Sequence, residues 1–513
     1  MKIKSNEKEE KMRKRIKIYL VSWLFLFLIV SYIPAQEKTL SNEQILIQTS
    51  HSISSHTLFQ YVVELASPKY GGRLGGTEEY KKAAEWVAEH FKKWGLKPGG
   101  DNESYFQSFP NPYTLVFPGC QVYLHIPYKN SIIKKFYQYE KDFIPGSTSD
   151  SGEITAEIVY VGYGITAPEL NYDDYKNVDV KGKIVLMERE VPISPDEEPE
   201  EFKKWRPYSF HQYKLKNAYE HGAIGMLYNY GPIANPNNAF IKGFIYTHIG
   251  REVVRDLFAG TGRTHEEVVK KIKETRKPQS FSTGKIFTIK NITEHHPEGI
   301  GYNVIGYIEG TDPELKNEFI IIGAHLDHCG RCPEMMPGAN DNASGVSVVL
   351  GVAEAMAKCP VKPKRTIVFI CFGAEEQGVY GSKFYLEHPV FPLEKTLCFI
   401  NMDGVGCGDK LRALAGENFP FLWNFFKKAN EKYIHRIIKA PYFANITRPR
   451  LDAARFMWKG IPTLSFSAFG ARSYYHITKD TPETITPEIL EDLAQLVFLS
   501  AMDIANQEKV NFK

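Results

Sequence analysis

The chain has 513 residues and a formal net charge of +3, from 63 Lys+Arg against 60 Asp+Glu. Hydrophobic residues make up 43% and charged residues 24%, an ordinary globular balance that excludes wholesale disorder, a collagen-like fibre and a multi-span membrane protein. At roughly 100–200 residues per domain, the length predicts two to four domains.

The basic excess is local. Residues 1–35 carry eight basic side chains and three acidic ones, which leaves 55 basic and 57 acidic in the remainder, a net of −2. Nucleic acid is therefore not an expected partner. The same segment has the layout of a targeting sequence. A basic stretch ends at Lys17, an apolar run covers Tyr19–Ile33, and Pro34-Ala35 follows. The run falls short of the roughly 20 apolar residues that span a bilayer. The expectation is a cleaved signal peptide over residues 1–35, a secreted or periplasmic protein and no stable membrane span afterwards. The alternative is an uncleaved signal anchor that tethers the chain.

Next in chain order, residues 77–94 predict an amphipathic helix. Thr77 is its N-cap, Tyr80, Ala84, Val87, Phe91 and Trp94 share one face, and Gly95 ends it. From about 150 to 290, short apolar runs (153–165, 183–190) alternate with Gly, Pro and Asp turns, and a helical piece is expected at 214–229. This region reads as a compact α/β insert. From about 300 the texture changes to continuous apolar runs at 319–327, 365–376, 396–403 and 461–470. Such runs suit strands buried on both faces of a parallel sheet. Helices are expected from Ser344 and from Pro487 to about Asn506, with Thr486 as N-cap. The fold class is α/β, a doubly wound, mainly parallel mixed sheet with a smaller inserted α/β domain. Domain boundaries are expected at 1–35, 36–124, 125–290 and 291–513.

In open α/β sheets, ligands bind outside the carboxyl ends of the strands. Three strand ends here carry metal-ligand chemistry: His325-Leu326-Asp327, Glu375-Glu376 and Asp403. Gly338–Gly345, with Asp341 at its centre, and Ser473-Tyr-Tyr-His476 add two more clusters. Taken singly, each residue has an ordinary reading as a cap, a turn or a solvated face. Their recurrence at successive strand ends is what points to function. Carboxylates gathered so closely repel unless a cation lies among them. Two His with several carboxylates is an N/O donor set suited to zinc, with manganese or cobalt possible.

Competing motifs fail. His265-Glu266 is followed by Val269 where a second His is required. Gly71–Gly76 lacks the Lys-Ser/Thr of a phosphate loop, and Gly162-Tyr-Gly164 is a lone pair of turn glycines. Seven Cys do not make a disulfide framework. Cys329-Gly-Arg-Cys332 has redox spacing without a thioredoxin context, so a structural role or a local disulfide is expected. Sequons stand at Asn102, Asn291, Asn342 and Asn445, relevant only in a eukaryotic source.

At these residues the sequence resembles the co-catalytic zinc aminopeptidases, a family that includes glutamate carboxypeptidase and members with a protease-associated insert. The likeness begins at Tyr70–Thr77, returns at Val159–Gly164, Asp174-Tyr175 and Val180–Ile184, and is strongest from His325 onward. The resemblance implies two Zn²⁺ per chain, with His325, Asp341, Glu376, Asp403 and His476 as ligands and Asp341 bridging. It implies Glu375 as general base, Asp327 orienting His325, and Tyr475 stabilising an oxyanion. Strand alternation would put His325 and Asp327 on one side. Asp452 resembles a family position, but Leu451 replaces the usual Ser, and its role stays open. Peptides are the implied substrates, with N-terminal residues removed. A carboxypeptidase of the glutamate carboxypeptidase type, a single-zinc glutaminyl cyclase and a non-catalytic binding scaffold are the alternatives.

Overall fold

The computed structural model describes residues 3–30, 40–237, 239–443 and 451–512. Two compact units are distinguished, Met1–Ile45 and Leu46–Lys513. In the first, one helix of 28 residues, Ile3–Val30, joins the basic stretch to the apolar run. Among the described residues no helix is long and apolar enough to cross a membrane. Pro34-Ala35 and Asn445 lie outside the described residues.

The second unit contains two large sheets. In the first sheet the apolar runs become neighbouring parallel strands in the order Thr366–Phe372, Phe319–His325, Thr396–Met402 and Thr463–Gly470. Antiparallel strands Ile300–Ile308 and Gly408–Leu414 flank them, so the sheet is mixed. Every residue of Phe319–His325 and Thr366–Phe372 is buried, as expected for strands covered on both faces. One face sends Phe319, Ile321, Val368, Ile370 and Phe372 into a cluster with Tyr385 and Phe456. Those last two come from helices Tyr380–Glu387 and Asp452–Trp458. Helix Ser344–Lys358 packs against the same strands and against Ser55–Leu65 and Pro487–Asn506.

The eight strands of the second sheet fall between Gln121 and Asn291. Its parallel centre is Gly152–Tyr160, Ile184–Glu188, Gly225–Asn229 and Ile245–Ile249. The chain thus leaves the first sheet after Phe106–Pro110, builds the second, and returns as the partner strand Ile300–Ile308.

Local expectations hold with two differences. Helix Glu78–Lys93 has Thr77 as N-cap, its side chain accepting from Tyr80 N, and buries Tyr80, Ala84, Val87 and Phe91. Trp94 is the C-cap, half-buried, rather than a member of the buried face. The helix expected at 214–229 is instead a helix, His211–Glu220, and a strand, Gly225–Asn229. Gly222 takes φ +84 and stops the helix. The apolar run beyond it gains more as a central parallel strand between two others than as further helix. Asn291 and Asn342 are buried, so folded protein does not present those two sequons for modification.

Candidate metal centre

His325 ends its strand, and the chain turns at once. Asp327, fully buried, accepts from Glu375 N at 3.0 Å and Glu376 N at 3.1 Å. It therefore ties the end of one central strand to the turn beyond its neighbour. This is not the contact that strand alternation suggests. His325 Nδ1 lies 3.1 Å from the Asp327 backbone carbonyl, while the nearer carboxylate oxygen stands off at 3.8 Å. The strand pattern ends at His325, so alternation no longer governs the next two residues.

The loop before helix Ser344–Lys358 is held from every side. Gly338 opens it at φ +59, where a Cβ would stand 2.4 Å from Asp341 O and 2.5 Å from the His328 ring. Asn340 Oδ1 accepts from Gly406 N and Cys407 N. Asn342 Oδ1 accepts from Gly345 N and Gly404 N, and its amide donates to Met402 O. Asp480 accepts from Asn340 N at 2.9 Å and Asp341 N at 3.0 Å. Arg73, buried, donates to the carbonyls of Leu65, Leu326, Pro337 and Gly338. The glycine-rich Tyr70–Thr77 stretch is thus a clamp. Gly72 at φ +77 leaves no room for a side chain against Gly330 O. Arg73→Met strands four buried carbonyls and is expected to cost about 3–5 kcal/mol, read as a lowered urea midpoint. A loss below about 1 kcal/mol would show that the clamp is dispensable.

So supported, Asp341 turns its two oxygens to two histidines. Oδ1 is 3.3 Å from His325 Nε2, and Oδ2 is 3.4 Å from His476 Nε2. Asp403 Oδ1 is 3.5 Å from His325 Nε2, and Glu376 Oε2 is 2.8 Å from His476 Nε2. The other ring nitrogen of His476 meets Ala234 O at 2.9 Å, and Ala234 N donates back to His476 O. A loop of the inserted sheet therefore holds this histidine. The donors fall into two groups, one of His325, Asp341 and Asp403, the other of His328, Cys329, Glu376 and His476. His328 comes in through Nδ1, 2.9 Å from Glu376 Oε1. Asp452 is buried but belongs to neither group.

Hydrogen bookkeeping tests whether this set fits a cation. In His325 and His476 Nδ1 faces a backbone carbonyl, which only accepts, so Nδ1 carries a proton and a neutral ring would keep its lone pair on Nε2. In both rings Nε2 faces carboxylate oxygens, the arrangement a metal cation between them would use. His476 Nε2 has no hydrogen-bond partner although Glu376 is close. Acceptors converging on acceptors in a buried site fit metal cations, with the Nδ1 contacts fixing the ligand tautomer. Glu375, Tyr475 and both donor groups' carboxylates line a cleft of about 650 Å³, together with Arg189, Tyr230 and Ile233 of the insert. Tyr475 is 52% exposed, its ring stacked on His476 at 3.7 Å. Burial pushes the Glu375 carboxyl well above the usual range, opposed by His325.

Several of these positioning groups are missing from a reading of the sequence alone. Asn340 and Asn342 flank Asp341 within Gly338–Gly345, where residue type alone gives them no role. Ala234 acts through its backbone and leaves no trace in residue type. Asp480 sits four positions past His476 in a segment with no periodic signal.

The model for Peptidase family M28 matches residues 303–501, and the PA domain model matches residues 154–254. The C-terminal part of the chain is thus similar to peptidase family M28, and the inserted part to a PA domain. The chain is 26% identical to an aminopeptidase of Pseudomonas aeruginosa over 68% of its own length and 56% of the relative's. It is 28% identical to a vacuolar membrane protease of Meyerozyma guilliermondii over 37% of its length, spanning only 19% of that protein. Among solved structures, an aminopeptidase from Aneurinibacillus sp. strain AM-1 superposes with TM-score 0.63 at 21% identity, over 91% of this chain and 98% of the other. A zinc aminopeptidase from Bacillus subtilis gives 0.57 at 21% identity, over 90% and 97%. These likenesses establish the shared fold.

Proposed function

We propose that this chain is a zinc-dependent aminopeptidase that removes N-terminal residues from peptides, with one zinc in each donor group and Asp341 shared between them. The observation that carries the reading is the pair of histidine Nε2 atoms facing opposite oxygens of Asp341, each with its other ring nitrogen on a backbone carbonyl. Relatives named aminopeptidases support the substrate class. His325 and Asp403 would hold one zinc, Glu376 and His476 the other. When bound, zinc supplies Lewis-acid polarisation of the scissile carbonyl and lowers the pKa of water to roughly 7.

The chain's own residues do the rest. Glu375, buried in the cleft and raised in pKa, takes a proton from the attacking water and delivers it to the leaving amine. Tyr475, at the cleft surface, donates its hydroxyl hydrogen to the developing oxyanion. Asp327 acts on Glu375 and Glu376 by fixing their backbone amides. Residues 125–290 form the insert that walls the cleft, and residues 1–35 direct export to a secreted or periplasmic location.

Arg189, in the cleft wall, favours one second reading, a carboxypeptidase that recognises a free carboxylate. Free-amine aminoacyl substrates and N-blocked peptides ending in Glu separate the two. EDTA-sensitive cleavage of the first set is expected. Cleavage of the blocked set alone sinks the aminopeptidase reading.

A further inference from the structure

We propose that Cys329 is a thiolate ligand of the metal held by Glu376 and His476. The proposal rests on the metal reading of the site and adds to it a soft donor that the five carboxylate and imidazole ligands do not contain.

Position comes first. Cys329 follows the Asp327-His328 turn and is 1% exposed. The backbone around it is pinned to the glycine-rich clamp. His328 N donates to Arg73 O at 3.0 Å, and Gly330 N donates to Gly72 O at 2.9 Å. One donor atom each from His328, Cys329, Glu376 and His476 lies within 4.8 Å of all the others. All four side chains are buried.

The roles of the four then separate. His328 Nδ1 takes Glu376 Oε1 at 2.9 Å, so His328 orients the carboxylate. Glu376 Oε2 is left to face His476 Nε2, a buried nitrogen with no hydrogen-bond partner. Cys329 supplies the remaining donor atom of this group. Nor is its sulfur engaged with the nearby Cys332. Both thiols are free. Cys332 turns to the insert, with Sγ 3.3 Å from Ser147 Oγ and 3.4 Å from Pro145 O. The C-x-x-C spacing therefore brings no disulfide: both residues pack in one apolar cluster with Ala234 and Met336, and Cys329 of the two also reaches the donor group.

Chemically, the thiol proton leaves to solvent as the sulfur–metal bond forms, with no change of oxidation state. A thiolate in the second group biases it toward zinc, cobalt or cadmium and against magnesium or calcium. It also leaves the two metals inequivalent, because the His325 group has nitrogen and oxygen donors only.

Cobalt gives a direct readout that does not depend on turnover. Metal-free full-length protein titrated with Co²⁺ is expected to bind two ions and to develop a near-ultraviolet sulfur-to-cobalt charge-transfer band for one of them. Cys329→Ser should abolish the band, and Cys332→Ser should keep it. If the serine variant at 329 fails to fold, the wild-type band and its survival in Cys332→Ser still decide the matter. Cobalt binding without the band overturns the Cys329 assignment alone. A band lost in Cys332→Ser also overturns it. Failure to bind cobalt at all overturns the metal reading together with it.

Discussion

Glu375→Gln lowers kcat by about 10²–10⁴-fold while zinc content stays at the wild-type level. The separation follows from where the two adjacent glutamates stand. Both backbone amides are fixed by Asp327, so the turn holds its shape when either side chain changes. Glu376 spends its oxygens on His328 and His476, inside the second donor group. Glu375 is in neither group and lines the cleft. Its raised pKa, caused by burial and opposed by His325, suits a base that must also return the proton. An amide is the same size but cannot accept that proton. Glu376→Gln is expected to do the reverse and lose metal. Steady-state kinetics beside metal analysis measure both. Glu375→Gln activity above about a tenth of wild type would remove the residue from the role of base.

Asp341→Ala is expected to empty both donor groups, whereas Asp403→Asn weakens only the group containing His325. Asp341 is the residue whose oxygens reach a histidine on each side, at 3.3 and 3.4 Å. Removing it would deprive the two proposed cations of their shared anionic ligand. The loop itself should survive, because Asn340, Asn342, Asp480 and Arg73 hold its backbone without the Asp341 side chain. The affinity loss at each site should exceed the roughly 10–100-fold that follows loss of an outer hydrogen-bond partner. Calorimetric zinc titration resolves the two cases. Two intact sites in Asp341→Ala would refute the shared ligand. Retained thermal stability of the metal-free variant would show that the loss is not unfolding.

Much of this was readable from residue type and order. Continuous apolar runs ending in His, Asp or Glu announce buried parallel strands, because a strand covered on both faces has no polar side to show. The polar residues that follow must then lie at a sheet edge where ligands bind. His325, Glu375, Glu376 and Asp403 could be found that way, and the Thr77 and Pro487 helix starts by capping chemistry. The piece at 214–229 could not be divided correctly. A short apolar run after a glycine has the same composition in a helix or a strand, and its neighbours across the second sheet decide.

The sequence by itself determined the α/β class and the strand-end cluster of His, Asp and Glu, since these follow from periodicity and from chemistry local to each segment. Only the tertiary structure decided how the donors divide into two groups, why Asp327 serves backbone amides rather than His325, and that Ala234 of the insert holds His476. The physical reason is the same in each case. These contacts join residues tens to hundreds of positions apart through single hydrogen bonds, many of them to backbone atoms that every residue possesses, so no pattern of side chains along the chain records them.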